Sequence, residues 1–280
     1  VNPTQLKRII IITRPIFWLL YPILFILGLN TAGGKLDLAN WAMLAELIAL
    51  TFPATLLTYG VNDAFDIRTD ARNPRKKNIV EGVAISQDDA NTIKKLAPFA
   101  VVLLVLSAML TTNLENIILM VLFSLALYFY SSPPIRLKER PPLDSLINGF
   151  FYFLAPFMLG FSLASPISNI SFQSVLLLFT CAAGLHALAA VTDYEPDKKV
   201  RNNTIAVWLG QRGASLFALV MFASNLFFSW PIAIYIMLVI FAAGSLTDLI
   251  APKYAKQAMT ITIMWGVVTT LTYFIEKVLL

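Results

Sequence analysis

Charge is scarce in this sequence: 13% of its 280 residues are Asp, Glu, Lys or Arg, against roughly 25% in soluble globular proteins. A water-soluble fold of this length could not cover its surface with so few, which excludes an ordinary cytosolic enzyme and a disordered chain. Cysteine and histidine are almost missing as well. The lone Cys181 excludes an internal disulfide and a secreted disulfide scaffold, and the lone His186 excludes a Cys/His metal cluster. No long polar stretch separates one region from another. What the sequence does hold is hydrophobicity, at 58% of residues and a mean hydropathy of +0.74. An integral membrane protein follows, and at about 20 apolar residues per span the chain can hold at most about ten.

Nine apolar segments can be marked: Ile9–Leu29, Ala39–Gly60, Ile93–Thr111, Asn116–Tyr130, Ser145–Leu163, Phe172–Val191, Ala214–Ser229, Pro231–Thr247 and Ala258–Ile275. The fourth, seventh and eighth are short, and only Trp230-Pro231 marks the boundary between the last two of these. The first has no small-residue cleavage site and reads as a span, not a signal peptide. Lipid cannot satisfy an open backbone, so the expected fold is an all-α membrane bundle of nine transmembrane helices, one domain over residues 1–280. Charge placement agrees. Of the 21 Lys and Arg, 19 belong to the N-terminus and the connections after segments 2, 4, 6 and 8, counting with them Arg14, Lys94 and Lys95 near the inner ends of segments 1 and 3; Lys35 and Lys277 are the exceptions. Positive charge marks the cytoplasmic side, so the N-terminus is expected inside and the C-terminus outside. The longer, polar inner connections then make the cytoplasmic face of a cell membrane the functional one. Ser86-Gln87-Asp88-Asp89 resembles a capping box opening the third helix.

Five of the ten aspartates lie in two short stretches. After segment 2 stand Asn62, Asp63, Asp66 and Asp70, followed by Arg72, Arg75, Lys76 and Lys77. After segment 6 stand Asp193, Glu195 and Asp197, followed by Lys198, Lys199 and Arg201. A continuing helix puts Asn62, Asp66 and Asp70 on one face, and Asp193 and Asp197 share a face in the same way, unless Pro196 breaks the old helix or opens a new one. Like charges at that spacing repel, and the C-terminal end of a helix disfavours anions. Something cationic must compensate: local Lys and Arg, or a divalent ion. Carboxylates with oxygen-only neighbours suit Mg²⁺, which takes one or two carboxylates together with phosphate oxygens. The flanking bases then suit the remaining phosphate charge.

At these residues the sequence resembles the UbiA superfamily of intramembrane prenyltransferases, and the run Asn73 to Lys76 looks most like its carotenoid-elongating branch and related archaeal or bacterial members. The first motif of that family, N-D-x-x-D-x-x-x-D, is matched by Asn62, Asp63, Asp66 and Asp70. The second, D-x-x-x-D, is matched by Asp193 and Asp197, and the loop Tyr130 to Lys138 matches a third feature. Where the family often has Gly beyond the second motif, Arg201 stands, with Thr204 kept. The resemblance implies Mg²⁺-dependent transfer of a prenyl group from an allylic diphosphate to a membrane-soluble acceptor. It implies one Mg²⁺ on Asn62, Asp66 and Asp70, and a second on Asp193 and Asp197. Arg72, Arg75, Arg136, Lys138 and Lys198 would meet the diphosphate. Tyr59, Tyr130, Tyr194 and Asn148 would face the prenyl chain or its cation, and Asp63 would order the loop or take a proton from the acceptor. The implied partners are a prenyl diphosphate, a hydrophobic acceptor and the lipid bilayer, with no nucleic acid.

Several residues stay open. Phe150, Phe151, Tyr152, Phe153, Phe157 and Phe161 suit a groove wall or plain packing equally. His186 reads as a packed or hydrogen-bonded histidine. Glu46, an isolated membrane acid, has no assigned role, and Asp248 can end the eighth helix. Three rival functions remain, and the intact metal residues argue against one of them, a lipid-binding scaffold that has lost catalysis. A CDP-alcohol phosphotransferase needs a D-G-x-x-A-R run that is missing. A transporter predicts carboxylates at the bilayer midplane and interrupted helices, whereas these acids cluster at one interface.

Overall fold

The computed structural model describes residues 3–70 and 85–276, and at 68–70 and 274 the backbone only. Its helices are α1 (Pro3–Ile12), α2 (Leu20–Thr31), α3 (Trp41–Ala49), α4 (Phe52–Thr55), α5 (Val61–Asp70), α6 (Gln87–Met109), α7 (Leu114–Ser131), α8 (Leu143–Asn148), α9 (Ala155–Ser162), α10 (Phe172–Thr192), α11 (Tyr194–Val200), α12 (Ile205–Ala223), α13 (Ile232–Ile250) and α14 (Ala255–Phe274). Among the described residues there is no strand.

Seven stretches are long and apolar enough to cross a membrane: Trp41–Ile67, Gln87–Met109, Leu114–Ser131, Leu143–Ser162, Phe172–Thr192, Ile205–Ala223 and Ile232–Ile250. Pro3–Ile12 and Pro15–Thr31, bent by 52° at their break, make an eighth if the pair is one span. The ninth expected segment lies on α14, whose five threonines dilute its apolarity. Two of them, Thr260 and Thr262, turn their hydroxyls to their own helix carbonyls at 2.9 and 2.8 Å. The seventh apolar stretch begins at Ile205, but α12 is kinked at Gly210, whose φ of 75° and ψ of 162° are not helical, so the part that follows starts at Gln211, three residues before the expected Ala214.

The helices gather into two compact units, α1–α7 with α9, and α8 with α10–α14. In the first unit α2 and α9 touch backbone to backbone. A Cβ on Gly28 would lie 1.9 Å from the carbonyl oxygen of Phe157, and one on Gly160 would lie 1.8 Å from that of Phe25. Only glycine permits that approach, which replaces the missing hydrophobic drive between helices in lipid by dispersion contact. Phe157 and Phe161 are both 5% exposed and stack on each other, with centroids 6.1 Å apart, so these two are packing residues. Glu46 is fully buried. It accepts from Asn116 Nδ2 at 3.4 Å, and the same amide reaches Leu159 O at 3.1 Å and Ser162 Oγ at 3.2 Å. The isolated membrane acid therefore belongs to a polar knot tying α3, α7 and α9.

Helix α6 opens with the expected capping box. Asp89 N donates to Ser86 Oγ at 3.1 Å and Ser86 N to Asp89 Oδ2 at 3.2 Å. The same aspartate anchors α1 through Arg8 at 3.0 Å. In the second unit Phe222 and Phe241 meet edge to face with centroids 5.0 Å apart, and Asn225 Nδ2 donates to Thr180 Oγ1 at 2.6 Å. Phe153 packs on this core, a structural role for one more of the aromatic run.

Candidate active site

The first motif begins where the helix changes pitch. A π-helical stretch, Leu56–Gly60, runs directly into α5; such wider turns recur at functional sites because they re-aim the side chains that follow. The single helix from Val61 to Asp70 sets Asn62, Asp66 and Asp70 on successive turns, as their spacing predicts. Asn62 Oδ1 accepts from Ser131 Oγ at 2.9 Å, which ties the motif to the end of α7. Asp66 is 8% exposed and pairs with Arg136 Nη2 at 3.4 Å. Asp63, 1% exposed, faces Arg14 Nη2 at 3.5 Å. Arg72 and Arg75 lie outside the described residues, as does the side chain of Asp70.

Arg14 is the residue that motif reading missed. It links α1 to the turn before α2 in the left-handed conformation, φ 55°. Its side chain is 13% exposed, and its guanidinium stands 4.5 Å from the Tyr59 ring centroid. Tyr59 also meets Phe17, with centroids 5.3 Å apart. The signal was present: a cation inside an apolar segment needs a partner. Arg136 is left-handed too, φ 44°, with its amide donating to Ser132 O at 3.0 Å. Tyr130, one turn before that loop, is partly buried.

The second motif lies in the second unit, on a turn and not on one continuous helix. Asp193 ends α10 and begins α11, and Pro196 sits in the first turn of the new helix. Asp197 N donates to Asp193 O at 2.9 Å. The Asp197 carboxylate accepts from Asn202 Nδ2 and from Thr204 Oγ1, each at 3.3 Å. Arg201 closes α11 at φ 59°, the left-handed region where glycine is expected. The arginine in the glycine position thus keeps the backbone shape that glycine favours. Lys198 is exposed and donates to Tyr194 Oη at 3.1 Å, and the Tyr194 ring rests on the core of the unit. Asn148 is partly buried and donates to Asp144 O at 2.8 Å, which directs its amide to its own helix.

Burial pushes the Asp197 carboxyl up to about 6, and the negative charge of Asp193 adds to this. The hydrogen bonds from Asn202 and Thr204 and the charge of Lys138 oppose the rise. Among the described residues no three His, Cys, Asp or Glu side chains are preassembled around one point. Both motifs nevertheless fit a hard divalent cation. Their donors are all oxygens. Asp66 already holds a cationic partner, and the Asp193–Asp197 repulsion is the kind that a cation relieves.

Residues 19–261 match the UbiA prenyltransferase family. A lycopene elongase/hydratase of Corynebacterium glutamicum is 26% identical, over 98% of this chain and 96% of its own. Another from Haloarcula japonica is 32% identical over 74% of this chain and 69% of its own. The fold is similar to that of a digeranylgeranylglyceryl phosphate synthase, with a TM-score of 0.70 at 19% identity over 99% of this chain and 100% of that one. It is also similar to a UbiA homolog from Archaeoglobus fulgidus bound to DMAPP and Mg²⁺, with a TM-score of 0.61 at 19% identity over 94% and 99%. With its many membrane-spanning helices, its two aspartate motifs and a match over most of its length, the chain belongs to the UbiA prenyltransferase family.

Proposed function

We propose that this chain, as one domain, transfers a prenyl group from an allylic prenyl diphosphate to a hydrophobic acceptor within the membrane, and that the acceptor is a carotenoid. The relatives named lycopene elongase/hydratase support the acceptor class. One observation carries the reading: the buried Asp66 of the first motif pairs with a base of the Tyr130–Lys138 loop, Arg136, at 3.4 Å, while in its own unit Asp197 of the second motif feels the weaker charge of Lys138. Alternating acid and base is what a metal-bridged diphosphate requires.

In this reading Asn62, Asp66 and Asp70 would hold one Mg²⁺, and Asp193 and Asp197 would hold another. Bound there, the ions supply Lewis-acid stabilisation of the charge gathering on the leaving diphosphate. Arg136 and Lys138 meet the diphosphate oxygens that remain, joined by Lys198, Arg72 and Arg75. The allylic C–O bond breaks with its electron pair going to the diphosphate. The prenyl carbocation is met by the π faces of Tyr59, Tyr130 and Tyr194. A double bond of the acceptor supplies the electrons for the new C–C bond, and the acceptor then gives up a proton to the released diphosphate. Asp63 orders Arg14 and Tyr59, with its Oδ1 3.5 Å from the guanidinium. Asn148 shapes the chain's path through its hold on Asp144. Nine spans, a cytoplasmic N-terminus, an outer C-terminus and an active site on the cytoplasmic side of the cell membrane complete the reading, on the positive-inside distribution.

The test uses purified protein in detergent with Mg²⁺ and radiolabelled dimethylallyl or geranyl diphosphate, beside Asp66→Ala and Asp193→Ala. Mg²⁺-dependent binding lost in both variants, with label moving into carotenoid from a lipid extract, is the expected result. Equal binding by wild type and variants refutes it, and label moving only into another acceptor refutes the carotenoid assignment.

A further inference from the structure

A side chain that no motif includes ties the second aspartate motif to its surroundings. Asp144, on α8, is fully buried. Its Oδ1 accepts from Ser145 N at 2.8 Å, and its Oδ2 accepts from Ile205 N at 2.6 Å. Ile205 is the first residue of α12, so a carboxylate sixty-one positions earlier serves the helix start. The usual occupant of that role is the residue at the helix boundary, Thr204, which makes no side-chain bond to its own helix. Its hydroxyl donates to Asp197 instead. Next to Asp144 the Ser145 hydroxyl bonds His186 Nδ1 at 2.9 Å. His186 lies on α10, two turns before Asp193. The six residues of α8 therefore grip both arms of the turn that carries Asp193 and Asp197: the arm entering it through His186, and the arm leaving it through Ile205.

We propose that Asp144 is a positioning residue for the second aspartate motif: by holding the start of α12 from a neighbouring helix, it frees the Thr204 hydroxyl to orient Asp197. Without it, the amides at the start of α12 lose a buried acceptor, and the nearest replacement is that same hydroxyl. Asp197 then loses one of its two donors and the turn loses its outgoing anchor. Ser145 and His186 serve the same clamp on the incoming arm. This places the sole histidine in the support of the site and outside its chemistry. The inference rests on the reading that Asp197 helps to hold a divalent cation.

The experiment compares wild type, Asp144→Ala, Asp144→Asn and Asn225→Ala. It follows Mn²⁺ binding by EPR without donor, the Mg²⁺ half-saturation of diphosphate release from geranyl diphosphate, and Tm. Loss of a partner that orients a metal-holding group weakens metal affinity by roughly ten- to a hundredfold. That shift is expected in Asp144→Ala, with turnover at saturating Mg²⁺ kept within about threefold. Asp144→Asn, which keeps one oxygen for the Ile205 amide, recovers most of the loss and stays informative if the alanine variant does not fold. Asn225→Ala removes a buried hydrogen bond of the same unit far along the sequence from the motif; it lowers Tm and leaves the half-saturation in place. Wild-type metal affinity in a folded Asp144 variant, or an equal shift in Asn225→Ala, overturns the proposal. If Asp197→Ala abolishes Mg²⁺ dependence while the Asp144 variants match wild type, only the positioning role falls. A wild type that binds no Mn²⁺ and ignores Mg²⁺ removes the metal reading itself, and this inference with it.

Discussion

Arg14 and Asp63 offer a direct test of how the first motif is held. Asp63 is 1% exposed and the Arg14 side chain 13%, so neither charge can be left to water. At their 3.5 Å separation and an effective dielectric of about 20, the gross attraction is about 5 kcal/mol, most of it offset by desolvation. Removing one partner strands the other, which costs roughly 3–5 kcal/mol. Asp63→Ala and Arg14→Met should each lower stability by that amount, a fall in Tm of about 6–10 °C in detergent at about 2 °C per kcal/mol. Asp63→Asn keeps an acceptor for the guanidinium and should lose about half as much. The double variant, with no charge left to strand, should recover about 1–3 kcal/mol relative to the sum of the singles. Turnover measured well below the lowest Tm separates support from chemistry. A side chain that orders Arg14 and Tyr59 leaves Asp63→Asn active, whereas an obligatory proton acceptor does not. Singles that add to within about 0.5 kcal/mol would refute the pairing argument. A correctly folded but inactive Asp63→Asn would refute the ordering role.

Four further outcomes are expected. Gly28→Ala or Gly160→Ala forces α2 and α9 apart, since the added Cβ would sit within 1.9 Å of a carbonyl oxygen; thermal unfolding should show a loss of at least about 1–3 kcal/mol. Gly60→Ala, whose only close contact is the flexible Leu56 Cδ1 at 2.9 Å, with Ile93 Cγ2 at an ordinary 3.5 Å, should stay within about 1 kcal/mol of wild type. Arg201→Gly relieves a left-handed backbone at φ 59° and should raise Tm by about 2 °C; an unchanged or lower Tm would mean the arginine side chain is worth more than the strain. Asp197, lifted from 3.8 to about 6, binds its proton more tightly in the native than in the unfolded chain. Native stability from this group therefore falls as pH rises from about 4 to about 6, and Mg²⁺ must displace a proton below about 6. The Mg²⁺ half-saturation should rise towards tenfold for each pH unit below that point, and a flat profile from pH 7 to 5 would contradict it.

The spans and the motifs were legible because each is a local signal. A run of apolar residues is long enough to cross lipid or it is not, and Asn62, Asp66 and Asp70 at four-residue intervals share a helix face whatever surrounds them. The capping box at Ser86 and Asp89 was legible for the same reason: both bonds close within three residues. Even the displaced glycine was legible as a question, since the left-handed turn it serves is a property of one residue, and Arg201 answered it by adopting that turn. The pitch change before α5 had no local signal: Leu56–Gly60 reads as ordinary helix by hydropathy.

The partners of the acids were not legible, and the reason is physical. A buried carboxylate specifies that a donor must come, without specifying from where. Asp63 draws its cation from the first span, forty-nine residues back, and Asp66 draws its own from a loop seventy residues on. Asp144 reaches sixty-one residues to a backbone amide, a group that every residue but proline carries and that leaves no trace in the sequence. The two motifs also meet the same like-charge problem by different means. The first places arginines against Asp63 and Asp66. The second gives Asp197 neutral donors and the weaker charge of Lys138, which only partly offset its burial and the charge of Asp193, so Asp197 keeps a raised affinity for protons. Two stretches that look alike as D-x-x-x-D spacing are therefore unequal electrostatically. That inequality comes from the fold around them and was beyond the reach of the spacing.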